Sequence, residues 1–161
     1  MDYEIVNIKP MNCSGISTQL TTSQDRNFNI IRRHWQNFNR ILKINSVKQE
    51  KEWTKYGITR KVDRKYFYIT AIPFANVIYD LDKINISGGN YCRFSHKGNM
   101  VQLKSTILQI YKQILPASGL NLNENRELIH YEQYDKRFNW NNPDSVIDIY
   151  VPFDSKTSKI L

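Results

Sequence analysis

The stretch Val146–Phe153, "VIDIYVPF", decides the fold, because an earlier stretch, Tyr68–Phe74 "YITAIPF", ends in the same way. Both read as strands rich in β-branched and aromatic residues, each closed by a proline. Pro73 and Pro152 stand at the same separation as Cys13 and Cys92. A spacing shared by two unrelated pairs signals an internal duplication.

The element order on either side supports it. Strand-like "YEIVNIKPMNCSGISTQL" opens the chain. After the turn-rich "TTSQDRN", Ile31, Trp35, Phe38 and Leu42 recur at helix-face spacing, so Phe28–Ile44 predicts a helix that Ser23 or Asp25 can cap. Polar "NSVKQEKE" then leads to two strands, "WTKYGITRK" and "KYFYITAIPF", joined by "VDR". The second half repeats the order. Strand-like "LDKINISGGNYCRFSHKG" precedes a helix Met100–Leu115, with Leu103, Ile107, Ile110, Tyr111 and Ile114 on one side and Pro116 and Gly119 as its stop. Then come "ELIHYEQY", the turn "NWNNPDS" and the closing strand.

This predicts an α+β fold of two pseudo-symmetric β-α-β-β repeats, with antiparallel sheets and both helices on one side. The opposite, concave face is then free for a ligand. Repeat one covers about residues 1–78 and repeat two about 79–153, within one domain of 1–155; residues 154–161 read as a frayed tail.

Composition narrows the class. The chain has 161 residues, 40% hydrophobic and 24% charged, enough for a packed core without metal or disulfide support. Ten tyrosines are unusually many, and tyrosine joins a rigid apolar face to a hydroxyl. The formal charge of +8 is spread along the chain, with short clusters at "IIRRHW", "VKQEKEW" and "TRKVDRK". No nucleic-acid-binding signature accompanies it. Cys13 and Cys92 form no C-x-x-C pair, and His34, His96 and His130 are far apart, so neither a metal site nor a cofactor is expected. No signal peptide and no apolar run of membrane-spanning length is present, which predicts a cytoplasmic protein.

One residue resists the strand reading. Glu132 sits in "ELIHYEQYDKRFNW" among His130, Tyr131, Tyr134, Phe138 and Trp140. Glutamate forms strands poorly, and an unpaired buried carboxylate is expensive.

Four pieces in order, "GGNYCRFSHKG", "IYKQILPASGL", "HYEQYDKRF" and "NPDSVIDIYVPF", resemble the GyrI-like effector-binding domain of bacteria. Family members also form the ligand-sensing part of multidrug-responsive transcription regulators. The first half matches more loosely, through "IIRRHWQNF" and the "YGIT…YFYITAI" strands. The resemblance implies a ligand pocket between the repeats. It further implies that Glu132, the glutamate of an E-x-Y-D pattern, lies at the base of an aromatic pocket and meets the charge of lipophilic cationic small molecules. Physical chemistry agrees: burial raises a carboxyl pKa, a delocalised cation favours the ionised form, and ring faces add attraction.

Strand alternation puts Leu128, His130, Glu132 and Tyr134 on one face, and Asp148 and Tyr150 of the closing strand on one face that is a candidate for the same cavity. Trp35, Tyr56 and Tyr68 are further wall candidates, each with a competing role in the core. Which of Tyr66 and Tyr68 points inward is left open by the sequence. Trp140 is a lid or packs its loop. His130 lines the pocket or serves as a hydrogen-bond partner. Too little chain remains for a helix-turn-helix, so direct DNA binding is not expected from this chain alone. The expected function is a stand-alone binder. The alternatives are a hydrolase of cyclopropane-type toxins using the same glutamate, or an interaction with a protein partner such as gyrase.

Overall fold

The opening strand of each half is broken where the backbone cannot carry a ladder onward. Pro10 has no N–H to donate and separates β1 (Tyr3–Ile8) from β2 (Met11–Gln19). In the second half the break falls at Ser87-Gly88, between β5 (Asp82–Ile86) and β6 (Gly89–Lys97), where Gly89 takes φ +132°. Each break lets a repeat hand its first strand to the other: β1 pairs with β6, and β5 with β2. The computed structural model describes residues 1–73 and 76–154. Phe74 of the expected strand end and residues 155–161 of the expected tail lie outside them. Asp154 bridges to Asn121 and pairs with Arg126.

The remaining elements are α1 (Gln24–Ile44), β3 (Thr54–Val62), β4 (Lys65–Ile72), α2 (Met100–Gln109), β7 (Leu128–Asp135) and β8 (Val146–Pro152). The eight strands form one antiparallel sheet in the order β1-β6-β8-β7-β3-β4-β2-β5. Exchanging the repeats reverses this order onto itself, so a pseudo-two-fold axis passes between β7 and β3. The proline spacing reflects that axis, and the cysteine spacing does not. Ser14 pairs with Ile72, and Cys92 with Val151. Ser14 is therefore the counterpart of Cys92, while Cys13 packs on the opposite face of the sheet.

Both helices cover one face. Trp35, Phe38 and Leu42 of α1, with Met100 and Leu103 of α2, pack on Tyr68, Ile72, Phe94, Ile149 and Val151. Ser23 caps α1 through Arg26 N–H, so the helix starts at Gln24, a turn earlier than the apolar spacing shows. Past α2 the chain does not stop at Pro116. It widens into a π-helical turn (Ile110–Ile114) and continues as α3 (Leu115–Ser118), ended by Gly119 at φ +70°. A proline lacks the N–H and crowds the carbonyl four residues back; the wider turn relieves both. Among the described residues no helix is long and apolar enough to cross a membrane.

The other face is not free for a ligand. The sheet curls until Arg60 of β3 donates to the Asn85 carbonyl of β5 and the Tyr91 hydroxyl donates to the Ser87 carbonyl. Inside the curl lie Cys13, Tyr56, Ile58, Ile69, Ile86, Tyr91, Tyr131 and Tyr150. Tyr131 stacks on Tyr150 at 4.6 Å between centroids and meets Tyr56 and Tyr91 edge-on. These rings are a second core. Tyr131→Ala should lower the free energy of unfolding by about 3–5 kcal/mol in urea titration, the usual range for emptying a buried aromatic site. Tyr79→Ala, at a side chain 93% exposed, should change it by less than about 0.5 kcal/mol.

Candidate ligand site

A β-bulge aims the residues of the site. Thr59 pairs with His130 but Arg60 pairs with Leu128, leaving Ile129 as the extra residue of β7. His130, Glu132 and Tyr134 therefore face the helices, whereas Leu128 turns to the second core and does not share their face. The bulge corrects the simple alternation read from the sequence.

Glu132 is 5% exposed. Its Oε1 accepts two hydrogen bonds, from the Tyr68 hydroxyl at 2.9 Å and the Tyr134 hydroxyl at 2.8 Å. The Tyr68 hydroxyl in turn accepts from Trp35 Nε1 at 3.0 Å, so donors are chained toward the carboxylate and polarise one another. Burial nevertheless dominates. It pushes the Glu132 pKa from the ordinary 4.5 up to about 7, with the two hydroxyls pulling the other way. Tyr68 and Tyr134 are held well above the usual phenol range, first by burial and then by the Glu132 charge. His130 is pushed down to about 4 by burial, so its ring is neutral near pH 7, and its Nδ1 lies 2.7 Å from the Tyr111 hydroxyl. Tyr111 belongs to the π-helical turn.

This arrangement depends on Gly57. Directly across the strand from Glu132, Gly57 holds the counterpart position on the other side of the pseudo-axis. A Cβ there would sit 2.1 Å from the Tyr68 hydroxyl and 2.8 Å from Glu132 Oε1. Only hydrogen leaves the room in which the tyrosine reaches the acid. Beyond Gly57 in the same row, Thr70 Oγ1 is the buried side-chain polar atom without a partner among the described residues.

A cavity of about 260 Å³ opens between α1 and α2, with Tyr68 and Glu132 in its wall at the sheet. Leu20, Phe28, Ile31, Met100, Leu103, Ile107, Leu108 and Trp140 make its sides apolar. Trp140, 38% exposed, stands edge-on to Phe138, which meets Tyr134 at 4.9 Å. Trp35 meets Tyr134 at 5.2 Å. A larger hollow of about 1150 Å³ lies at the far end of α1 and is lined by exposed charges such as Lys43, Glu50 and Glu52. It contains no buried ionisable group, and the smaller cavity is the better candidate.

The structure thus brings Glu132, Tyr134, Tyr68, Trp35, His130 and Trp140 to the helix-covered face, where Glu132, Tyr68 and Trp140 line the cavity and Tyr134, Trp35 and His130 do not. Tyr68 is buried under the helices, whereas Tyr66, on the same face of β4 but at its start, is left exposed. Tyr56 and Tyr150 do not join them: both are packed in the second core, and Asp148 binds Arg137 and Ser95 outside the cavity. Gly57 and Phe28 are not singled out in the sequence, and Leu103, Ile107 and Tyr111 are read there only as the apolar side of a helix. A glycine in mid-strand was the one available signal for Gly57.

Residues 4–153 match the family model described as integron-associated effector-binding protein, Cass2. The chain belongs to that family. Its architecture is the GyrI-like fold, and its family role is the binding of small-molecule effectors. A 71-residue segment is 31% identical to the transcriptional regulator BrlR of Pseudomonas aeruginosa, and spans 44% of this chain but only 25% of the regulator. Among solved structures, SAV2435 bound to tetraphenylphosphonium superposes with a TM-score of 0.76 at 16% identity, covering 96% of this chain and 95% of that one. The integron cassette protein VCH_CASS2 of Vibrio cholerae gives a TM-score of 0.62 at 15% identity, covering 94% and 95%. At such identities these likenesses establish the fold.

Two outcomes follow from the geometry. Gly57→Ala should break the Tyr68–Glu132 contact and lower stability by about 1–3 kcal/mol in a denaturant melt, the range for overpacking. The second concerns pH. Folding raises the Glu132 pKa, so between about pH 4.5 and 7 the folded state holds a proton the unfolded chain has released. Stability contributed there is full below pH 4.5 and declines as pH rises through 7, by on the order of 3 kcal/mol. Glu132→Gln should remove that decline and unfold at higher denaturant than wild type at pH 8.

Proposed function

We propose that the cavity binds aromatic, lipophilic cations, with Glu132 as their counter-charge. One observation carries the reading: a carboxylate buried among aromatic rings, both of its hydrogen bonds on one oxygen, in the wall of a mainly apolar cavity. An unpaired buried charge is costly, and a protein of this kind gains by holding it only where a partner of opposite sign arrives. A delocalised or quaternary cation loses little hydration on entry, unlike a metal ion or a primary ammonium. Trp140 and Tyr68 can offer ring faces to it, worth about 0.5–2 kcal/mol each. That SAV2435, of the same fold, is bound to tetraphenylphosphonium supports a ligand of this class.

Cation binding requires the ionised acid, so it must expel the proton that Glu132 holds below pH 7. Rhodamine 6G titrated by fluorescence anisotropy should therefore bind about tenfold more weakly for each unit of pH below 7, and uniformly above it. Glu132→Gln should bind weakly at every pH, with no such slope. Undiminished binding by that variant at pH 8 would return Glu132 to a structural role.

A further inference from the structure

We infer that the preferred ligand is a zwitterion: an aromatic cation that also carries an anionic group, its positive end on Glu132 and its negative end between Arg32 and Lys104. The inference rests on the cation reading of Glu132 and extends it to the mouth of the cavity.

The charge inventory of the lining is unequal. Glu132 is its one acidic residue, buried at the sheet, and Arg32 and Lys104 are its two basic ones. The two basic residues come from different repeats, Arg32 from α1 and Lys104 from α2, and both are exposed. They therefore flank the opening from opposite sides, while the carboxylate lies at the inner end. Among the described residues neither side chain makes an ion pair or a hydrogen bond. Their charges are thus not neutralised from within the chain.

A bare cation has to pass two like charges to reach Glu132, and once seated it leaves them unmatched. A ligand with an anion at its outer end meets a guanidinium fork and an ammonium there, the donors best suited to a carboxylate. The apolar sides between the two ends, Phe28, Ile31, Leu103, Ile107 and Trp140, suit a flat hydrocarbon body. Charge of opposite sign at the two ends also fixes which way round the ligand sits.

Rhodamine 6G and the free acid made by hydrolysing its ethyl ester share one ring system and differ in that carboxylate. Anisotropy titrations of both dyes at pH 8 should give the free acid a Kd about tenfold lower in the wild-type chain, the gain expected of a charge-assisted contact at a partly open site. In Arg32→Gln/Lys104→Gln the free acid should weaken to the affinity of the ester, and the ester should bind no worse than before. Both positions are exposed, and an unchanged urea midpoint shows the double variant to be folded. Equal affinities in the wild type, or a preference that survives in the double variant, overturns the zwitterion. Glu132→Gln separates the two readings: if it weakens both dyes while they bind alike, the cation site stands and only the zwitterion falls. If it weakens neither, or if neither dye binds the wild type, both readings fall.

Discussion

The carboxylate of Glu132 lies beside the pseudo-two-fold axis of an eight-stranded sheet, and the rest of the site is arranged around keeping it there. An acid directly opposite its own copy in the second repeat would meet like charge across neighbouring strands, which destabilises a sheet. The chain avoids this by breaking the symmetry at the axis. One repeat supplies Glu132, the other supplies Gly57, and the space left by the missing side chain is taken by the Tyr68 hydroxyl. A duplicated scaffold thereby presents a single acidic position, reached by donors from both halves: Tyr68 with Trp35 behind it from the first, Tyr134 from the second.

Such a position needs a stiff platform, because an acid at a pKa of about 7 works against folding at neutral pH. The strand exchange supplies one. With β1 paired to β6 and β5 to β2, neither repeat can open without unzipping the other, and the curl traps a second core of tyrosines and isoleucines beneath the sheet. The helix-covered face is then left with an uneven job. Phe38 of α1 and Ile110 of the π-helical turn are fully buried in the core on this face. Between the first turns of α1 and α2 the sheet stays open. Stability comes from the closed face, and access comes from the gap.

Much of this is legible in the sequence. The closing strands, the helix faces marked by Trp35 and Phe38, the repeat order and the oddity of Glu132 all follow from periodicity and composition. What escaped has a common cause, which is that periodicity orients a strand only when one of its faces is wet. In β8 every residue from Ile147 to Pro152 is buried, so "IDIYVP" carries no signal to separate Ile149, which packs under the helices, from Tyr150, which packs in the curl. The bulge at Ile129 shifts Leu128 without altering the apparent alternation of β7. Strand pairing across the axis, the fact that gives Gly57 its meaning, is a long-range register that no local pattern contains.

The charge of the chain makes the same point about scale. A formal +8 taken over the whole sequence points toward acidic partners, yet the buried carboxylate in the cavity wall is, on the proposed reading, the counter-charge of a cation. The two statements do not conflict, because at physiological salt a charge is felt over about 8 Å and the dispersed lysines of the surface are screened from one another. Within the cavity the dielectric is low and only the lining counts. There the sign changes over the depth of one small molecule, from two cations at the mouth to one carboxylate at the floor. On the reading proposed above, such a site selects its ligand by where its charges sit, not by how many it carries.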